Sequence, residues 1–220
     1  MMQVMERPDL QAMRRDYELG ALREEDLAPT WLEQFERWLA EAMEGGEAEP
    51  NAVVVATAGA DGRTGARTVL LKDVDERGFV FNTNYDSRKG GEIAENPRAS
   101  LVFPWLDVRR QVVVDGTVER VTPTEADAYF ATRPREARIS AHASPQSEVV
   151  ESRDALERRR EEIAARFPDG VDVPRPEHWG GLRVVPEAVE FWQGRANRLH
   201  DRLRYRLGES GTWVVERLAP

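Results

Sequence analysis

Of the 31 cationic residues in this chain, all are arginine except Lys72 and Lys89. A guanidinium is a rigid planar fork and an ammonium a compact, mobile point charge, so a site that needs the latter resists replacement. On composition alone the two lysines read as leftover surface residues; their positions say more. Thr83-Asn84-Tyr85-Asp86-Ser87-Arg88-Lys89 runs from a strand end into a helix with Ser87 as N-cap, which puts Arg88 and Lys89 in the first turn. Two cations there oppose the helix dipole. They fit if an anion sits at the helix start, held by free backbone N–H groups and the two side chains, and phosphate is the natural candidate. A solvated pair of surface cations is the equal alternative. In Arg67-Thr68-Val69-Leu70-Leu71-Lys72, strand alternation sets Arg67, Val69 and Leu71 on one face and Thr68, Leu70 and Lys72 on the other.

A second cluster follows a strand that ends in Trp192: Arg198, His200 and Arg202 alternate along one face. Beside a tryptophan they resemble a pocket for a planar anionic ligand, although Arg204 and Arg206 continue the pattern and a plain surface is the competing reading. Arg133-Pro134-Arg135, behind Tyr129, is a third cationic point. The formal charge is −9 and the pI about 5.1. Separate cationic clusters on an acidic chain favour pockets for small phosphorylated molecules over a nucleic-acid surface or an anionic membrane.

Other chemistries find little support. There is no cysteine, hence no disulfide, thiolate metal site or cysteine nucleophile. His142, His178 and His200 lack metal-ligand spacing, so no metal is expected. Gly59, Gly62 and Gly65 are spaced as a hairpin turn, not a dinucleotide fingerprint, and neither a Walker loop nor a nucleophile elbow is present. Met1 to Arg15 has no apolar core of signal-peptide length, and the longest apolar run, Ala52 to Ala56, is far short of a membrane span. The expectation is a soluble, cytoplasmic protein.

The elements that must position these residues follow from periodicity. Residues 1–50 read as a helical segment, with one helix over Asp9 to Leu19 closed by Gly20. A stronger one is capped by Thr30, with Glu33 completing a capping box and apolar positions from Trp31 to Met43. Residues 51–220 read as one unit of short strands: Ala52 to Thr57, Ala66 to Val74, Gly78 to Thr83, Ser100 to Trp105, Gln111 to Val121, Leu182 to Trp192 and Thr212 to Leu218. Asp115-Gly116 either turns a hairpin or marks a bulge in one long strand. Helices over Thr122 to Phe130 and Ser152 to Phe167 interrupt the strands. The pattern predicts a mainly β fold with added helices, an antiparallel barrel or sandwich.

The residues also carry a resemblance. The chain is similar nearly end to end to the pyridoxamine 5′-phosphate oxidase family, FMN enzymes of vitamin B6 metabolism. The similarity runs in order through Arg14-Arg15-Asp16-Tyr17, Arg67 to Lys72, Ser87-Arg88-Lys89, Asn96-Pro97-Arg98, Phe103-Pro104-Trp105, Arg133-Pro134-Arg135, Gln146-Ser147, Trp179-Gly180-Gly181, Glu190-Phe191-Trp192-Gln193-Gly194 and Arg198-Leu199-His200-Asp201-Arg202. It implies an antiparallel FMN-binding split β-barrel working as a homodimer, with FMN at the subunit interface and residues 51–220 as one unit that includes a C-terminal dimerisation and substrate region. By that resemblance Arg67, Lys72, Arg88 and Lys89 hold the FMN phosphate and ribityl chain. Backbone of Arg67, Thr68, Val69, Leu70, Leu71 and Lys72, and of Asn82 and Thr83, adds contacts, and Gln111, Gln146, Ser147, Trp192 and Arg202 border the flavin. The substrate, pyridoxamine or pyridoxine 5′-phosphate, has its phosphate at Lys72, Tyr129, Arg133 and the position of Ala137. Arg198 and His200 are the catalytic pair at the pyridine ring, Arg14 and Tyr17 close over it, and O2 is the final oxidant.

The chain departs from that pattern at three places. Ala137 stands where a serine commonly contacts the phosphate, Ile139-Ser140-Ala141-His142 replaces Ile-Gly-Ala-Trp, and Asn82 replaces a frequent aromatic. They bear on substrate preference more than on FMN. Two other readings stay open: a split-barrel flavin reductase or oxidase with a different substrate, and a non-catalytic module that binds flavin or pyridoxal phosphate.

Overall fold

The computed structural model describes residues 20–220. Among these residues five α-helices and eight strands follow one another: α1 (Trp31–Glu44), β1 (Ala52–Ala58), β2 (Thr64–Asp75), β3 (Gly78–Asn84), α2 (Arg88–Glu95), β4 (Arg98–Trp105), β5 (Arg110–Arg120), α3 (Pro123–Thr132), α4 (Arg135–Ala143), α5 (Arg153–Arg166), β6 (Trp179–Gln193), β7 (Asp201–Leu207) and β8 (Trp213–Arg217). All pairings are antiparallel, in the order β3-β2-β1-β4-β5-β6-β7-β8, and a further β3–β6 pairing closes the first six strands into a barrel. The expected antiparallel split barrel is what forms. Among the described residues no helix is long and apolar enough to cross a membrane.

Closure depends on β6. Its first half, Trp179 to Val184, pairs with β3, while its second half, Ala188 to Gln193, pairs with β7, and β5 runs along most of its length. The switch comes at Pro186-Glu187, where the register with β5 slips by one residue opposite Asp115 and Gly116. Strand β5 itself is continuous and in unbroken register with β4, so Asp115-Gly116 is no hairpin, and the extra residue belongs to its neighbour. Gly116 permits this bend, because a Cβ there would lie 2.0 Å from the Val185 carbonyl oxygen.

The barrel core is aromatic and α1 plugs it. Trp31, Phe35 and Trp38 recur at helical spacing and are all buried. Phe35 meets Phe79 and Phe103 edge-on at centroid distances of 4.9 and 5.0 Å, and Trp38 meets Phe191 at 5.2 Å, so the helix is held by the barrel interior. Thr30 Oγ1 accepts the Glu33 N–H, one half of the expected capping box. The complete reciprocal box forms at α3, between Thr122 and Glu125.

Sequence periodicity missed two elements. Strand β7 alternates perfectly, but its arginines drew attention as a cationic run rather than as the outer face of a strand whose inner face is Leu203 and Tyr205. Helix α4 lacks a side-chain cap at Pro134 and buries only Ile139 and Ala143, so little marks it in the sequence.

Candidate active site

The loop from β3 into α2 turns as expected. Ser87 caps α2 through its hydroxyl, which accepts the Gly90 N–H, and leaves Arg88 and Lys89 in the first turn. The turn is tight: a Cβ on Gly90 would lie 1.9 Å from the Tyr85 carbonyl oxygen. Strand β2, the end of β3, the start of α2 and the segment after α4 then frame a groove of about 560 Å³. It brings together Arg67, Thr68, Val69, Leu70, Lys72, Asn82, Arg88, Lys89, Gln146 and Ser147. Leu71 points into the core and Thr83 sits beneath the groove, both buried.

The cations of this groove are short of negative charge. Lys89 is only 7% exposed, and its Nζ donates to Thr83 Oγ1 and Gln146 Oε1, both at 2.9 Å, which are neutral acceptors. Burial, and then the nearby Arg67 guanidinium, push its pKa down against a smaller opposing pull from the Glu92 carboxylate, which makes no hydrogen bond to it. A desolvated ammonium held only by neutral oxygens is stabilised by an anion that arrives with its ligand. Arg67 and Arg88 share one carboxylate, Glu92, at 3.1 and 2.7 Å. Burial works against the ionised form of Glu92, but hydrogen bonds from Thr57, Arg88 and Arg67 outweigh it and hold its pKa low. Sequence reasoning missed Glu92; its i,i+4 spacing from Arg88 was the available signal.

A second cavity, about 370 Å³, adjoins the first and shares Lys72, Asn82 and Gln146 with it. Tyr129 and Arg133 line it, as expected. The Arg133 guanidinium lies 4.4 Å over the Trp179 ring, and Tyr129 stacks on the same ring at 6.2 Å. The buried Nη1 of Arg133 has no hydrogen-bond partner among the described residues, and burial pushes its pKa down. Lys72 therefore lines both cavities. Ala137 is half-buried and off the cavity wall, which Ser140, Ala141 and Ser144 of α4 and its end form instead. His142 contacts the Pro174 carbonyl oxygen and packs on Phe167, so its departure from the pattern is absorbed by packing.

The remaining expected residues gather elsewhere. Trp179 and Trp192 stand at opposite ends of β6, ~40 Å apart along a strand that rises ~3.3 Å per residue. Gln111 lies directly opposite Trp192 in the ladder, and the His200 ring sits 4.7 Å from the Trp192 ring. His200 Nδ1 accepts the Arg195 backbone N–H. Arg202 is bound bidentately by Glu190 at 2.7 and 2.9 Å. Arg198 is exposed, and it and Asn197 are consecutive non-glycine residues in the left-handed region, at φ 62° and 55°. Ser147, on the groove, has φ 77°. Backbone strain at two expected site positions is the pattern of a functional surface. Arg14 and Tyr17 lie outside the described residues; Gly20, where the description begins, accepts a hydrogen bond from Arg195 beside this second cluster. Among the described residues no group of three or more His, Asp or Glu side chains is arranged to hold a metal ion.

Fold and site together define a split-barrel protein with a cationic groove and an adjoining cavity lined by Lys72, Tyr129 and Arg133. Residues 39–167 match the family described as pyridoxamine 5′-phosphate oxidase, and residues 179–220 match the pyridoxine 5′-phosphate oxidase C-terminal dimerisation region. Pyridoxine/pyridoxamine 5′-phosphate oxidases of Frankia alni and Cupriavidus necator are 59% and 54% identical to this chain. The alignments cover 97% and 94% of this chain and 90% and 97% of theirs. Among solved structures, PhzG from Burkholderia lata 383, in complex with tetrahydrophenazine-1-carboxylic acid, superposes with a TM-score of 0.85 at 32% identity, covering 93% of this chain and all of that one. The chain belongs to the pyridoxamine 5′-phosphate oxidase family.

Proposed function

We propose that this protein is an FMN-dependent oxidase that converts pyridoxamine 5′-phosphate and pyridoxine 5′-phosphate to pyridoxal 5′-phosphate in the cytoplasm. O2 is reduced to H2O2, and the amine substrate additionally consumes water and releases ammonia. The observation that carries the reading is Lys89, buried with neutral partners at the wall of a groove that also presents Arg67, Arg88 and Lys72. That donor set fits the phosphate of FMN, with Thr68 to Leu70, Asn82, Gln146 and Ser147 along the rest of the cofactor. FMN, when bound, supplies the two-electron acceptor that O2 regenerates.

The adjoining cavity suits the substrate phosphate. Lys72 and Arg133 supply positive charge, and the Tyr129 hydroxyl supplies a neutral donor. Arg198 and His200 orient the pyridine ring, and the Arg198 guanidinium stabilises negative charge that develops on the substrate. These two, with Trp192, Arg202 and Gln111, lie at the other end of β6, so a complete site requires two chains. A homodimer with FMN at the interface meets that requirement. Half-buried Val54, Val102 and Val113 pair in a row on the outer face of β1, β4 and β5 and offer an apolar surface for a second copy.

The test is direct. The protein purified with FMN and given pyridoxamine 5′-phosphate in air yields pyridoxal 5′-phosphate and peroxide. A yellow protein without product would move the substrate towards a different ring system, as PhzG binds a tetrahydrophenazine carboxylic acid. A yellow protein that binds pyridoxal 5′-phosphate but turns over nothing would make it a carrier. A colourless protein would overturn the cofactor.

A further inference from the structure

Arg183 is among the most buried side chains of the molecule, 2% exposed, and lies in β6 opposite Val80 of β3 and Glu119 of β5. It touches neither cavity. Its Nη1 donates to Asp75 Oδ1 at 2.8 Å, its Nη2 to Glu125 Oε1 at 3.0 Å, and its Nε faces Glu119 Oε1 at 3.9 Å. Asp75 ends β2, and Glu125 is the third residue of α3. One guanidinium therefore ties the β2–β3 hairpin, the barrel wall and the first turn of α3 together. Arg77, in the same hairpin, closes the ring by binding both Asp75 and Glu125, at 2.6 and 3.0 Å.

Glu125 does two jobs. It accepts the Thr122 backbone N–H and hydroxyl, which completes the capping box, and it accepts the two arginines. Bonds from Thr122, backbone first, and then from Arg77 lower its pKa to about 2, so it stays ionised at any working pH. The far end of the same ten-residue helix carries Tyr129, with Arg133 as its C-cap, and both face the substrate cavity. A second tie holds the middle of the helix: Arg175 binds Asp127 at 2.7 Å and the Trp179 carbonyl at 2.8 Å.

We propose that Arg183 is a positioning residue for the substrate phosphate, acting through α3 to fix Tyr129 and Arg133 against Trp179 and Lys72. Helices are stiff over this length, so a shift at the clamped first turn reappears at the opposite end as a misplaced guanidinium. A misplacement of about 1 Å is enough to lose substrate-positioning contacts. None of the residues lining the cofactor groove belongs to the network. This inference rests on the proposed phosphorylated substrate.

The test uses the FMN-loaded protein and the variants R183Q, R183K and E125Q. Steady-state kinetics with pyridoxamine 5′-phosphate, equilibrium titration of pyridoxal 5′-phosphate and flavin retention are measured together. R183Q is expected to raise KM and the pyridoxal 5′-phosphate Kd about 10-fold or more, with kcat within about 2-fold and flavin retained, as loss of ground-state binding requires. R183K, which keeps the charge but not the two-pronged geometry, restores part of the affinity. E125Q keeps the Thr122 acceptor and weakens only the α3 arm of the clamp, so it raises Kd by less than R183Q. If R183Q fails to fold, R183K and E125Q carry the test alone. Folded variants with unchanged Kd and KM, or with flavin lost in parallel, overturn the proposal. A parent protein that neither turns over the substrate nor binds pyridoxal 5′-phosphate overturns the functional reading instead.

Discussion

Two glutamates in this chain each hold a pair of arginines, and they do so to different ends. Glu92 lies between Arg67 and Arg88 under the groove lined by Lys89, with its side chain 10% exposed. Glu216 lies between Arg204 and Arg206 on the outer face of β7 and β8, with its side chain 31% exposed. Around Glu216 the neighbouring charges are also matched: Arg202 has Glu190, and Arg217 has Glu24 and Asp201. Around Glu92 they are not, because Lys89 has only neutral acceptors and the buried Nη1 of Arg133, in the next cavity, has no hydrogen-bond partner among the described residues. A cation's purpose is thus written in its partners. One region is a satisfied surface, and the other holds positive charge in reserve for a ligand.

The largest effects should separate cofactor binding from turnover. Arg198→Ala is expected to lower kcat by about 10²–10³, the typical cost of losing a group that stabilises developing charge, with FMN retained. Lys89→Ala is expected to weaken FMN binding by about 10–100-fold, since a hydrogen bond to a charged group is worth ~1.5–3 kcal/mol, while riboflavin, which lacks the phosphate, binds unchanged. Equal losses of FMN and turnover in both variants would collapse the distinction. The pH dependence follows from the depressed Lys89 pKa. The folded apoprotein sheds this proton below the ordinary lysine value of 10.5, so inorganic phosphate binds progressively more weakly as pH rises through the folded pKa. A flat alkaline limb in a phosphate titration would remove Lys89 from the site.

Glu92→Gln is the next smaller effect. Breaking an ion pair costs ~0–1 kcal/mol at a surface and ~3–5 kcal/mol in the interior. Glu92 is shielded but its arginines are partly open, so the apoprotein should lose stability between those limits. FMN should then restore most of the loss, because its phosphate replaces the missing negative charge. Thermal melting with and without FMN reads this out, and equal destabilisation in both states would mean the pair is structural only.

What the sequence could show was whatever depends on neighbours in the chain. The Ser87 cap and the placement of Tyr129 before Arg133 are local, and the structure keeps both; the simple two-face reading of Arg67 to Lys72 gives way, because residues of both faces line one groove and the register with β3 shifts between Leu71 and Asp73. Arg183 and its acidic partners were invisible as a set because they come from separate elements: Arg183 of β6 meets Asp75 of β2 and Glu125 of α3 only through the β3–β6 pairing that closes the barrel. Strand β7 was lost for a related reason. Its arginines look like a binding cluster until Glu190 on β6 and Glu216 on β8 are found beside them. The left-handed backbone at Asn197 and Arg198 has no sequence mark either, since neither residue is glycine.

Glu216→Gln should do least, and its smallness is what makes it useful. Bonds from Arg206 first and Arg204 second lower the Glu216 pKa to about 2. A depressed carboxylate stabilises the fold fully above its ordinary value of 4.5 and loses that contribution as pH falls towards 2, so substitution acts at neutral pH and is silent in acid. Even at neutral pH the three side chains are open to solvent, where screening and side-chain entropy cancel most of the attraction. Melting temperature should therefore barely move, added FMN should change nothing, and kcat and KM should match the parent. Had the outer arginines been a second anion site, removing Glu216 would free two guanidiniums, and phosphate would begin to stabilise the variant. Melting curves of Glu216→Gln across a phosphate titration distinguish the two cases: no phosphate dependence keeps the ligand charge confined to the groove around Lys89, and a rising melting temperature would erase the contrast between the two arginine pairs.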